Sequence, residues 1–432
     1  MHFAFFAPSF PSHVAALEAI AMVLVARGHR ATLVHRPDVA AFIRDPRFAF
    51  EPVGADTHPP GSLAPVLARA ARPGGPLGIR RVVADMVEAT DLLAAQAPDV
   101  LRRIGADAVV ADQMEPAGPL VAAYLGLPFV SVACALPVER EPAVPLPVLP
   151  FDYDPSPRGL SRNRIGERIN TLLMRPHEAE VARWADRLGV PPRRALHEGL
   201  SPLAGIVQLV RRFDFPRTAL PAHVHHVGPF RATEGDAVPL PADLQRFLVD
   251  EVDGRPLVFC SLGTLQGGRL GLFQTVAKAA RRAGAATLVA HCGLLSAAEA
   301  ARIGADRVVA FAPQRAVIAR AAVVVTHAGL NTVMDALSFG VPLLALPIAF
   351  DQPGMAARIR HARVGLSVDP RRATVRRIEA ALRTLLADPG WRGRAASFAA
   401  DIAAAGGAER AADIILAAVR GRAPVLVEGT RP

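Results

Sequence analysis

Residues Phe311 to Gln352 read FAPQRAVIARAAVVVTHAGLNTVMDALSFGVPLLALPIAFDQ, and three runs within them decide the fold. AAVVVTHAG is a short β-branched run ending in glycine, the pattern of a strand buried on both faces of a parallel sheet. Leu330 to Phe339 has helical spacing, with Leu330, Val333, Met334 and Leu337 on one face and Gly340 as the stop. VPLLALPIAF is the next buried strand. Strand, helix and strand in this order predict an open α/β sheet with parallel strands.

The polar residues of this stretch sit where its strands end, which is where such sheets bind ligands. His327 and Gly329 close the first strand, Asn331 and Thr332 open the helix, and Asp351 and Gln352 close the second strand. A helix start offers free N–H groups and a positive dipole end to an anion. Asp335 lies one turn on, roughly 6 Å along the axis from Asn331 and on the same face. The order suits a phosphate at the helix start, a ribose diol at Asp335 and a second polyol at Asp351 and Gln352. A nucleotide sugar has those parts in that order.

At these positions the stretch resembles the donor-binding signature of the UDP-glycosyltransferases, which glycosylate small lipophilic acceptors. The resemblance places the aromatic platform for uracil on Phe311 and a glutamine on Gln314. It places the phosphate-contacting histidine on His327, beside Gly329, Asn331 and Thr332. The ribose-binding acid falls on Asp335 and the sugar-binding pair on Asp351 and Gln352. Two positions depart from the commonest form of the signature: Phe311 stands where tryptophan is frequent, and Asp335 where glutamate is frequent. The resemblance implies a GT-B architecture, α/β throughout, with two Rossmann-like domains whose parallel sheets face each other across a cleft.

Length agrees, since 432 residues exceed what one hydrophobic core usually supports. With 51% apolar and 20% charged residues the chain is globular rather than disordered. Cys134, Cys260 and Cys292 are far apart and odd in number, which suggests neither a disulfide framework nor a zinc site and suits a reducing cytoplasm. The net charge of +10 raises nucleic acid as a partner, but the basic residues are scattered arginines, with Lys278 the only lysine. No clustered patch or reader motif accompanies them, so nucleic acid is not expected. A basic chain also suits peripheral contact with anionic lipid. MHFAFFAPSFPSH lacks a basic leading region and is broken by prolines, so it is not read as a signal peptide. Apolar windows such as Ala336 to Phe350 are too short to span a bilayer.

At the start of the chain, His2 to Ala7 is a buried strand, followed by the loop PSFPSH, a helix from Val14 to Arg27 and a second strand in HRATLVH. This is a nucleotide-fold opening without GxGxxG, which disfavours a dinucleotide oxidoreductase. His13 stands where the glycines would be. Read alone it is a first-turn histidine without a role; the family resemblance makes it the general base that takes the proton of an acceptor alcohol. Such a base is oriented by a carboxylate on its other ring nitrogen. Asp112, directly after the strand Ala108 to Ala111, matches the family's orienting aspartate; alone it would read as a turn cap.

From Glu51 to Pro157 the chain is rich in proline and small residues and reads as shaped loops, the variable part of a binding site. Here HPPGSLAPVL, DQMEPAGPLVA, LPFVSVACALP, SLGTLQG, AHCG and LALPIAFDQPG narrow the resemblance to the subfamily that glucosylates zeaxanthin in bacterial carotenoid pathways. That likeness runs from about His2 to about Arg420. It implies UDP-glucose as donor, a lipophilic hydroxylated acceptor such as zeaxanthin, and no cofactor besides the donor substrate. Asp152 and Asp154 form a D-x-D in a proline-rich loop, a poor place for a metal, and HVHH at 223–226 reads as a strand end. No metal ligands are expected.

The domain division expected is 1–227 for the acceptor, 228–242 as linker and 243–405 for the nucleotide sugar. A helix at 406–420 crosses back to the first domain, and 421–432 is a tail. In the second domain Ser261, Gly263 and Thr264 end the strand PLVFCSLG, and the family places a phosphate-binding turn there. The chemistry implied is inverting transfer through an oxocarbenium-like transition state. Other acceptors in the same fold (macrolide, sterol, flavonoid or glycolipid), a sugar-nucleotide epimerase, and a non-catalytic carotenoid or lipid carrier remain open alternatives.

Overall fold

The computed structural model describes residues 1–231 and 239–427. Residues 232–238 of the expected linker and 428–432 of the expected tail lie outside the described residues.

Two all-parallel sheets carry the chain. The first is built from β1 (His2–Phe6), β2 (Arg30–His35), β3 (Ala49–Pro52), β4 (Ala108–Asp112), β5 (Phe129–Ala133), β6 (Gly205–Val207) and β7 (Val224–His226). Its spatial order is β3-β2-β1-β4-β5-β6-β7. The second holds β8 (Leu257–Ser261), β9 (Ala286–Ala290), β10 (Arg307–Val309), β11 (Val323–Thr326), β12 (Leu343–Ala345) and β13 (Gly365–Ser367), in the order β10-β9-β8-β11-β12-β13. Strand order reverses between β1 and β4 in one sheet and between β8 and β11 in the other. Loops leaving those strands diverge to opposite faces and open a crevice.

The unbroken apolar runs follow from burial on both faces. Phe3 and Phe5 of β1 pack with the helix Pro11–Ala26, while Ala4 and Phe6 face the opposite core with Leu93 and Ala97. Leu257 and Phe259 of β8 face one core, and Val258 and Cys260 the other. The helix Leu330–Ser338 ends one residue before the sequence placed it, with Gly340 in the left-handed region (φ 63°). VPLLALPIAF forms a strand only over Leu343–Ala345; Pro347 has no N–H to give a ladder, and the rest becomes the loop that carries Asp351.

The stretch from Glu51 to Pro157 departs from the loops expected. It contains the helix Gly75–Ile104, which runs beside the helix Pro157–Leu188. Pro76 falls in the first turn, where its missing N–H is no loss. Pro98 and Pro176 lie inside the two helices.

The closing helix Gly407–Gly421 packs on the helix Pro11–Ala26 of the first sheet, and Arg27 pairs with Glu409 (2.6 Å) and Asp413 (2.7 Å). Val425 and Val427 then donate backbone hydrogen bonds to the carbonyls of Leu203 and Ala222. All three cysteines are free. No helix among the described residues is long and apolar enough to cross a membrane.

A buried ion cluster joins the two halves. Arg358 Nε on the helix Gln352–His361 donates to Asp214 Oδ1 (2.7 Å), and Arg217 Nε donates to Asp214 Oδ2 (2.7 Å). Burial alone would raise the Asp214 carboxyl; Arg358, His226 and Arg217 outweigh it and hold it well below the usual range.

Candidate active site

A cavity of about 2220 Å³ lies between the carboxyl ends of the two sheets. Pockets for one small molecule run to about 1,000 Å³, so there is room for two substrates. Every expected site residue but Asp112 contributes to its lining: His13, Ser261, Gly263, Thr264, Phe311, Gln314, His327, Gly329, Asn331, Thr332, Asp335, Asp351 and Gln352.

One wall carries a dyad. Phe6 at the end of β1 is in register with Ala111 in β4, which sets the residues that follow side by side. Phe10 and Pro11 start the first helix and put His13 in its opening turn. His13 Nδ1 meets Asp112 Oδ2 at 2.7 Å. A carboxylate only accepts, so the proton sits on Nδ1 and Nε2 is left with a lone pair. Asp112 is fully buried, and its Oδ1 accepts from the Met114 N–H (2.8 Å). Burial lowers the His13 pKa, but the Asp112 charge and hydrogen bond, helped by Asp351, raise it above the ordinary value on balance.

Cys134 completes this corner, where burial and the neighbouring Asp112 charge push its thiol pKa well up. His13, Asp112 and Cys134 form a group of potential metal ligands with one atom from each within 4.8 Å of the others. The sequence reading passed over Cys134, although its place directly after β5 matched that of the other site residues. Asp152 and Asp154 form no such group: Asp152 pairs with Arg360 and Asp154 accepts from the Ser156 N–H. His225 Nε2 bonds the Val425 carbonyl.

The facing wall centres on His327. Its ring lies between two glycines: a Cβ on Gly263 would stand 2.6 Å from Cε1, and one on Gly329 would stand 2.5 Å from Nε2. Burial pushes the His327 pKa down to about 4, opposed by the Ser261 backbone, so the ring is neutral and carries a single N–H. Ala328 beside it takes the left-handed region (φ 69°), a strained place for a non-glycine residue. Gly329 caps the helix Leu330–Ser338 without a side-chain hydrogen bond, which leaves the first-turn N–H groups at Asn331 and Thr332 without a capping side chain.

Gly329→Ala is a clean steric test, since its φ of −68° suits alanine. The new methyl must displace the imidazole, and Gly263 holds the other side with no room to spare. Steady-state kinetics should show kcat/KM for the nucleotide sugar falling about 10²-fold in a protein that still folds.

Asp335 is more heavily engaged than its spacing suggested. Arg231 Nε (2.9 Å) and Arg315 Nη1 (3.0 Å) reach Oδ1, and Gln314 Nε2 reaches Oδ2 (2.7 Å). Arg231 also bonds the Asn331 side chain and carbonyl. Nothing local in the sequence marked Arg231 for this place. Phe311 is 69% exposed, and its ring edge lies near Gly293. Gln352 Oε1 accepts from the N–H groups of Ile348 and Ala349 (2.8 Å each) and so braces the loop before Asp351.

The walls touch at Asp351. Its Oδ2 accepts the Leu136 N–H (3.1 Å) from the first half, and Gly354 donates to the Pro147 carbonyl (3.0 Å). Burial raises the Asp351 pKa against that hydrogen bond and the nearby His13. Phe10 and Phe350 meet across the same seam, ring centres 5.9 Å apart.

Beyond His13 the cavity becomes an apolar groove between two helices, lined by Val82, Val83 and Met86 on one side and Leu173 and Met174 on the other. At its inner end Thr90 Oγ1 meets His177 Nε2 (3.2 Å) and Glu115 Oε1 (3.4 Å). Burial pushes Glu115 up to about 8, opposed by the Ala117 N–H, and His177 down to about 4. Both groups are therefore neutral at pH 7, as an apolar site requires.

A family profile described as UDP-glucoronosyl and UDP-glucosyl transferase matches residues 199–399. A zeaxanthin glucosyltransferase of Pantoea ananas is 44% identical over 417 residues, 96% of this chain and 95% of that protein. One of Pseudescherichia vulneris is 42% identical over 425 residues, 97% and 98% of the two chains. Among solved structures, the glycotransferase of kitacinnamycin superposes with a TM-score of 0.72 at 23% identity, covering 97% of this chain and 99% of that one. The calicheamicin glycosyltransferase CalG4 gives 0.70 at 21%, covering 98% and 99%.

Proposed function

The chain belongs to the UDP-glycosyltransferase family, with its two-sheet GT-B fold, and on that premise we propose that it moves glucose from UDP-glucose to the ring hydroxyls of zeaxanthin, giving the mono- and then the diglucoside. One observation carries this: the His13–Asp112 dyad and the His327–Asp351 wall line a single cavity, with an apolar groove leading away from the dyad. Two relatives that are 44% and 42% identical over nearly the whole chain act, by name, on zeaxanthin.

Uracil stacks on Phe311, the ribose sits in the corner formed by Gln314, Asp335, Arg231 and Arg315, and glucose hydroxyls meet Asp351 and Gln352. The diphosphate lies against His327, Ser261, Gly263, Thr264 and the helix start at Asn331 and Thr332. The acceptor's ring hydroxyl gives its proton to His13 Nε2 as its oxygen attacks the anomeric carbon. The bond to the diphosphate breaks on the opposite side, so an α-linked donor yields a β-glucoside. Fixed N–H donors meet the charge that develops on the leaving group. No step calls for a cofactor or metal. The polyene lies in the groove beyond His13. The protein acts in the cytoplasm, on an acceptor met at a lipid surface.

Incubation of the purified chain with UDP-glucose and detergent-dispersed zeaxanthin, followed by mass detection, should show one and then two hexose additions. Hexose transfer to another hydroxylated lipid but not to zeaxanthin would refute the acceptor; tight zeaxanthin binding with no transfer to any acceptor would refute the reaction.

A further inference from the structure

We propose that the outer faces of the helices Gly75–Ile104 and Pro157–Leu188, at the mouth of the apolar groove, dock on an anionic lipid bilayer. On the second helix Ile165, Ile169 and Leu172 are spaced by four and three residues, so they form one stripe. They are 56%, 55% and 70% exposed, unusual for large aliphatic side chains on a water-facing helix. Arg164, Arg168 and Arg175 form a parallel stripe one residue position away, also exposed, and none of the three makes an ion pair among the described residues. Glu167 is the one acid between Arg158 and Arg175, a span with five arginines.

The first helix also exposes aliphatic and basic side chains where it begins, though not as a stripe. Leu77 is 70% exposed, Ile79 two residues on is 39% exposed, and Arg80 and Arg81 follow, exposed and unpaired among the described residues. Val148, in the loop between the helices' halves of the cavity, is exposed as well. An apolar stripe rimmed by free guanidinium groups is complementary to a bilayer whose headgroups carry negative charge: the aliphatic side chains enter the acyl boundary and the arginines remain at the phosphates.

Continuity with the groove gives this surface its use. Val82 of the first helix, and Asn170, Leu173 and Met174 of the second, line the cavity, the last three directly beside Ile169 and Leu172, and Ile79 is both exposed and part of the lining. A polyene could therefore pass from acyl chains into the groove without crossing water. In this respect the inference deepens the acceptor reading above and rests on it; the docking itself can be measured with no acceptor present.

The full chain is floated with vesicles of phosphatidylcholine alone or mixed with phosphatidylglycerol, at low and high salt. Binding is expected on the mixed vesicles only, weakening as salt rises. Each arginine near an anionic surface contributes about fivefold, so R164A/R168A/R175A should lower partitioning roughly a hundredfold. I165D/L172D should abolish it, with glucosyl transfer to detergent-dispersed zeaxanthin kept in both variants as proof of folding. Equal binding to neutral vesicles, no binding by the unaltered chain, or unchanged binding by either variant overturns the proposal. So does lipid-free self-association that I165D/L172D removes, which would make the face an interface between copies. Vesicle binding without zeaxanthin transfer would instead leave the docking surface standing and remove the acceptor.

Discussion

His13→Ala should lower kcat/KM for glucosyl transfer about 10³–10⁴-fold and leave UDP affinity, read by calorimetry, near that of the unaltered chain. The separation is expected because His13 belongs to the wall opposite His327 and Asn331. The pH profile supplies a second check. Asp112 and Asp351 raise the His13 pKa above the ordinary 6.5, and the base works only when neutral. Activity should therefore rise through an acid limb lying above pH 6.5. Asp112→Asn removes the charge that raises it, so the limb should move down while the rate falls, since an amide can donate to Nδ1 and turn the imidazole to the wrong tautomer. Undiminished turnover by His13→Ala would take this residue out of the mechanism.

The second large effect is on stability. Asp214→Ala leaves Arg358, which is fully buried, and Arg217, 3% exposed, without their shared carboxylate. Removing one partner of a buried pair costs about 3–5 kcal/mol, and chemical denaturation should show a loss of that size. The pH sign is fixed by the lowered Asp214 pKa: between that value and the unfolded one, the unfolded chain binds more protons. Its contribution is full above the unfolded pKa, near 3.8, and is lost as pH falls below it. Asp214→Ala should flatten stability over that acid window. Asp214→Leu with Arg358→Met and Arg217→Met, which removes all three charges and fills the space, should recover most of the loss. If the triple variant is no better than the single one, the cost comes from lost packing rather than a stranded charge.

The two walls were legible in the sequence because parallel strands buried on both faces leave polar residues only at their ends. Asp112 and Ser261 end such strands, His327 follows one, and His13 and Asp351 lie beyond the loops that leave two others; His13 and Asp112 were marked by the family resemblance, since alone they read as a first-turn histidine and a turn cap. Arg231 was not legible, since it meets Asp335 across 104 positions and nothing near either residue signals the pairing. The same holds for Thr90, Glu115 and His177, which come from three elements. The helix Gly75–Ile104 was hidden for a different reason. PGGPLG has the composition of a turn, and local composition does not distinguish a proline that interrupts a helix from one that begins it. The docking stripe at Ile165, Ile169 and Leu172 has helical spacing in the sequence, but only the fold shows that this side has no protein against it.

Asp351 accepts the Leu136 N–H across the seam. Stripping water from a carboxylate is expensive, and here that dehydration is completed when the chain folds, not repeated in each catalytic cycle. For the glucose contact proposed above, the acid is dry and aimed by the fold itself.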